Sequence, residues 1–113
     1  MKTAISATAE ALREVAFGSI TNSYTAVGSA TAAPVRMFRI VNATDKAMYI
    51  SLDGTTNQFY LTGGSFVLYD LCANRVQHGT SFVLPEGTIF YVKYAAAPTS
   101  GSLAIETIVG RGE

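Results

Sequence analysis

Tryptophan is absent from this chain, and cysteine and histidine occur once each, as Cys72 and His78. A single cysteine excludes a disulfide within the chain and any metal site needing two thiolates from one copy. Charge is scarce as well. The 113 residues include 8 Lys+Arg and 8 Asp+Glu, which leaves 14% charged and a net charge of zero, against about 25% in an ordinary soluble domain. Without an excess of basic residues there is little to displace counterions from phosphates, so a nucleic-acid partner is not expected. No apolar run approaches the roughly 18–20 residues of a membrane helix, so no membrane partner is expected either. Met1 to Ala7 opens like a signal peptide, but Glu10, Arg13 and Glu14 interrupt it before an apolar stretch forms. That pattern suits a protein made and kept in the cytoplasm, or assembled there into something larger.

Hydrophobic residues make up 49% of the chain, enough for one domain with its own core. A surface this poor in charge favours association, so a homo-oligomer is expected. Residues 1–14 differ from the rest. Ile5, Ala9, Leu12 and Ala16 follow helical spacing, with Thr8 as a possible cap, so this segment reads as a short helix or an extended arm that needs a neighbour. From residue 15 the pattern turns to β. One or two short strands are expected over 15–27, then strands over 35–41, 47–52, 58–61, 65–71, 80–84, 88–94 and 102–109. Turn chemistry punctuates them at Asn42–Asp45, Asp53-Gly54, Gly63-Gly64 and Pro85–Gly87. Residues 65–71 carry apolar side chains on both faces, which predicts a strand buried on both sides. About eight antiparallel strands at such spacing predict an all-β fold, a single jelly-roll-like β-sandwich over residues 15–113.

Chemistry-bearing constellations are thin. Cys72 and His78, with Asp70 nearby, are the one conceivable nucleophile–base pair, and a structural thiol beside a loop histidine accounts for them better. Asp45 and Asp53 flank one strand and would stand about 20–25 Å apart if it is extended, too far to share a metal or a proton. They read as turn formers. The glycine-rich pieces match neither a P-loop nor a dinucleotide fingerprint. No catalytic residue, metal site or cofactor is therefore expected, and the chain reads as a non-enzyme.

Six Tyr and six Phe remain. Most belong in a core, but strands such as Phe59-Tyr60 and Phe90-Tyr91 must turn some rings outward. Outward tyrosine suits a protein interface and, secondly, a sugar-stacking platform near Asn57, Gln58 and Tyr60.

Several segments, in order, carry a resemblance. They are Phe17-Gly18-Ser19-Ile20, Tyr24-Thr25-Ala26-Val27-Gly28, Arg39-Ile40-Val41-Asn42-Ala43-Thr44-Asp45 and Ile50-Ser51-Leu52-Asp53-Gly54. Asp70-Leu71-Cys72-Ala73-Asn74, Leu84-Pro85-Glu86-Gly87-Thr88 leading to Val92-Lys93-Tyr94, and Ala97-Pro98-Thr99-Ser100-Gly101-Ser102 follow. Over roughly residues 12–109 this order resembles small β-rich virion proteins of tailed bacteriophages. Some of these decorate or cement the capsid, and others sit at the head–tail neck or the tail. The resemblance implies a structural role, with major capsid or neck and tail proteins as partners, and a place in the virion after assembly in the host cytoplasm. A capsid decoration protein is the leading expectation, a neck or tail accessory component the next, and a carbohydrate-binding module at a host surface the third. The contact residues expected are Ile5, Leu12 and Val15 of the arm, with Tyr60 and Tyr91 on the strands.

Overall fold

A computed structural model describes residues 5–71 and 83–112. Nine strands form two antiparallel sheets. They are β1 (Ile5–Ala9), β2 (Arg13–Ala16), β3 (Thr25–Val27), β4 (Val35–Asn42), β5 (Met48–Ser51), β6 (Phe59–Leu61), β7 (Phe66–Asp70), β8 (Phe90–Tyr94) and β9 (Ser102–Gly112). In sheet I the order is β1-β9-β4-β7, with β2 also on β9. In sheet II it is β3-β8-β5-β6.

β1 and β2 both lie along β9, β1 on its C-terminal half and β2 on its N-terminal half. Between Ala9↔Ile108 and Arg13↔Ile105 the first strand has one residue more than β9, so β1 and β2 are one strand broken by a bulge. Counted so, the described residues form eight strands. The first pairs with the last, the second with the seventh, the third with the sixth and the fourth with the fifth. That is a hairpin rolled into two layers, the jelly-roll winding expected from the turn spacing.

Of the short helix and the extended arm expected at the N-terminus, the described residues take the extended form, as β1 and β2. An isolated turn or two of helix is marginal in water, whereas β9 offers eleven residues of unpaired edge. The segment gains backbone hydrogen bonds by extending along it.

The core lies between the sheets. Leu103, Ile105, Thr107 and Val109 alternate along β9 and are all buried, as a period of two requires. On β4 the register shifts between Val35 and Met37, and this irregularity lets Val35, Phe38 and Ile40 all face inward. Phe38 of sheet I meets Phe90 of sheet II at 5.5 Å and Phe59 at 6.3 Å between ring centroids. These contacts fix the two layers face to face.

Two polar devices close the ends. Asn42, fully buried at the end of β4, donates its amide to the carbonyls of Lys46 (2.9 Å) and Leu61 (3.0 Å) and accepts from Thr44. Gly101, at φ +90°, lies so close to the Ala43 carbonyl that any side chain would overlap it. Both hold the 42–46 turn against its neighbours.

β7 departs from expectation. Among the described residues it pairs only with β4, at the edge of sheet I. Of its two apolar faces one looks inward, where Tyr69 packs on Phe38 and Phe59. Among the described residues no layer covers the other, and Phe66 and Leu68 stand 61% and 53% exposed. The strand expected over 80–84 lies mostly outside the described residues; Leu84 within them makes an isolated bridge to Val35.

Candidate functional site

The two sheets present outer faces of different chemistry. On sheet I three rows run across β7, β4 and β9. Phe66 stands opposite Val41 and Ala104, Leu68 opposite Arg39 and Glu106, and Asp70 opposite Met37 and Ile108. Apart from the middle row and Asp70, every position is apolar. In the middle row Arg39 Nε and Nη2 donate to the two Glu106 carboxylate oxygens at 2.8 Å each, a bidentate pair. The guanidinium hydrogen bonds hold the Glu106 carboxyl below its ordinary range and raise the Arg39 guanidinium. The same guanidinium lies 5.4 Å from the centre of the Phe66 ring. The two charges of the middle row thus satisfy one another; the large apolar groups exposed on this face are Phe66 and Leu68, with the exposed Asp70 at its end.

A second charged group of sheet I is buried. Arg13, 5% exposed, donates to the Ser29 carbonyl, to Thr107 Oγ1 and to Glu10 at 2.8 Å. Its aliphatic stem lies against Gly28, where φ is +74° and a Cβ would come within 2.7 Å of Arg13 Cγ. Leu12 sits in the bulge and is 55% exposed.

On sheet II the outward positions carry Tyr49, Ser51, Tyr60, Tyr91 and Lys93, with no branched aliphatic residue among them. Tyr60 and Tyr49 are direct cross-strand partners, their ring centres 5.3 Å apart. Lys93, the partner of Tyr49 on the other side, holds Nζ 4.8 Å from the Tyr24 ring centre and 5.6 Å from that of Tyr49. The Tyr24 hydroxyl donates to Asn57 Oδ1 at 2.7 Å. Partial burial and the nearby Asp53 charge raise the Tyr24 phenol above its ordinary value. The Asp53 carboxylate is itself taken up by its own loop. It accepts from Thr55 N, Thr56 N and Ser51 Oγ, which holds its carboxyl far below the usual range.

The residues expected to make contacts are dispersed. Ile5 lies on β1 opposite Gly112. Val15 packs against this chain's own core. Tyr60 is 57% exposed on sheet II. Tyr91 is half-buried on the same face, its ring against Gly54. Asp45 and Asp53 sit in separate loops, each bonded to neighbouring N–H and hydroxyl groups. Among the described residues no three His, Cys, Asp or Glu are grouped to hold a metal. Cys72 and His78 lie outside the described residues. The sequence reading missed Phe66 and Leu68, which look like core residues when both faces of a strand are apolar. It also missed the Tyr24–Lys93–Tyr49 row, which only the pairing of β8 with β5 and β3 brings together.

No protein-family model, curated protein or solved structure matches the chain. Its class is therefore given by its architecture: a jelly-roll sandwich with one apolar and one tyrosine-bearing outer face.

Proposed function

We propose that this chain is a non-enzymatic structural protein of a tailed-phage virion, binding neighbouring virion proteins, with capsid decoration as its leading role. The observation that carries the reading is the outer face of sheet I. Its exposed apolar groups, Phe66 and Leu68, surround a cation and an anion that already neutralise each other. A neighbour that covers Phe66 and Leu68 removes apolar area from water while Arg39 and Glu106 stay paired with each other. A protein that binds only the assembled lattice stabilises that lattice by mass action, and many copies on one particle add avidity. The sequence resemblance to small β-rich virion proteins supports the same role. Leu12, exposed in the β1–β2 bulge on the opposite edge of sheet I, gives a second place for a neighbour.

The test uses particles assembled without this chain. The wild type should co-sediment with them. A Phe66→Glu/Leu68→Glu variant should keep its thermal midpoint within a few degrees and bind at least about 30-fold more weakly, as loss of a central apolar anchor predicts. Unchanged co-sedimentation of a folded variant would refute the reading. Copy number on the particle separates the shell from the neck or tail: hundreds of copies fit decoration, and one small ring fits a neck or tail component.

A further inference from the structure

The row of side chains on sheet II has no task in the assembly reading, which places the protein contact on the opposite sheet. Tyr60 on β6, Tyr49 on β5 and Lys93 on β8 are successive partners across three strands. Two interstrand steps make the row about 10 Å long, and Tyr24 extends it beyond Lys93. We propose that this row binds an oligosaccharide of two or three residues, one of them carrying a carboxylate.

Each part of the row supplies one element of that recognition. Tyr60 is 57% exposed, so its ring face is open to the C–H face of a pyranose, while hydroxyls at the sugar's rim meet polar groups beside it. Asn57 supplies such a group. Its Oδ1 is occupied by the Tyr24 hydroxyl, which fixes the amide and leaves the Nδ2 donors pointing elsewhere. Lys93 supplies the charge. Among the described residues no carboxylate forms an ion pair with it. Its ammonium is held instead by two ring faces, so it is positioned before a ligand arrives, and little ordering is required on binding. Asp53, whose charge acts on Tyr24, accepts three hydrogen bonds from its own loop at Oδ1. A protein partner of the usual kind would find no Leu, Ile, Val or Met on the outward strand positions here, in contrast to sheet I.

The test is binding of the full chain to an array of acidic and neutral microbial oligosaccharides, followed by titration of the best binder. Binding should be confined to glycans bearing a carboxylate. Tyr60→Ala and Lys93→Met should each weaken it by tenfold or more, and Tyr60→Phe, which keeps the ring, should retain it. The Phe66→Glu/Leu68→Glu variant should bind glycans as the wild type does, so failure of the assembly reading and failure of this one are distinguishable. A flat array at millimolar glycan, equal binding of neutral and acidic sugars, or indifference to Tyr60→Ala and Lys93→Met would overturn the proposal. Loss of particle binding by Tyr60→Ala with no glycan bound would assign this face to a protein neighbour instead.

Discussion

On the outer face of sheet I, Arg39 and Glu106 stand directly opposite each other and close as a bidentate pair. On sheet II, Lys93 stands opposite Tyr49 and rests between two phenol rings. Both faces belong to one sandwich and both carry few charges, yet in the middle row of sheet I a cation and an anion close on each other, whereas on sheet II the cation rests on rings. The contrast deepens at the edge of sheet I, where Arg13 is almost wholly buried and bound to Glu10. A low charge count thus does not describe one uniform surface. It describes one face suited to being covered and one suited to recognising a polar, negatively charged group.

The largest effect expected from this contrast lies at Glu10. Glu10→Ala removes the carboxylate from Arg13 Nη2 and from the Ala32 N–H, and leaves a nearly buried guanidinium with only neutral acceptors. Loss of one member of a buried pair costs about 3–5 kcal/mol. Lys93→Met on sheet II gives up two exposed-side cation–π contacts, a loss of about 1 kcal/mol. Urea unfolding of both variants decides the matter: equal midpoints would mean that sheet I does not depend on its internal pairing.

Asn42 sharpens the comparison at the point where the sheets meet. It ends β4 of sheet I, yet its amide bonds to the Leu61 carbonyl at the end of β6 in sheet II and to Lys46 in the turn between the sheets. Asn42→Ala leaves those acceptors and the Thr44 N–H without a buried partner, which should cost about 2–3 kcal/mol. The check is calorimetric: a single transition at lower temperature is expected. A variant as stable as the wild type would show that the 42–46 turn holds itself.

Much of the fold was legible because period-two patterning and turn residues are local. Leu103, Ile105 and Val109 announce the inner face of β9, and Asn42–Asp45 and Asp53-Gly54 mark their turns. What was not legible depended on partners distant in the chain. Phe66 and Leu68 look like core because sequence shows two apolar faces but not which one lacks a covering layer. Residues 5–16 look helical because alanine favours helix, and the eleven-residue edge of β9 that overrides this preference lies about a hundred positions away. The tyrosine row was half visible. Tyr60 and Asn57 were noted as neighbours, but Lys93 and Tyr24 join them only through β8.

The smallest effect concerns acid, and it compares how the two faces hold their carboxylates. Glu106 is held by a guanidinium and Asp53 by the N–H groups of its own loop, and both carboxyls titrate below their ordinary range in the folded protein. A group depressed on folding contributes stability that is fully present above its unfolded pKa, near 4, and is lost as pH falls through and below that value. The urea midpoint should therefore decline between pH 5 and pH 2.5. Asp53→Asn should flatten that decline more than Glu106→Gln, because Asp53 is depressed further. Salt separates the two. The Arg39–Glu106 attraction is exposed and is screened at about 0.5 M salt, whereas the short hydrogen bonds to Asp53 from Thr55 and Thr56 at 2.8 Å are fixed by the turn. The contribution removed by Glu106→Gln should shrink in high salt and that removed by Asp53→Asn should persist. If both shrink together, the loop at sheet II is held by long-range charge rather than by its N–H groups, and the distinction between the two faces fails at that point.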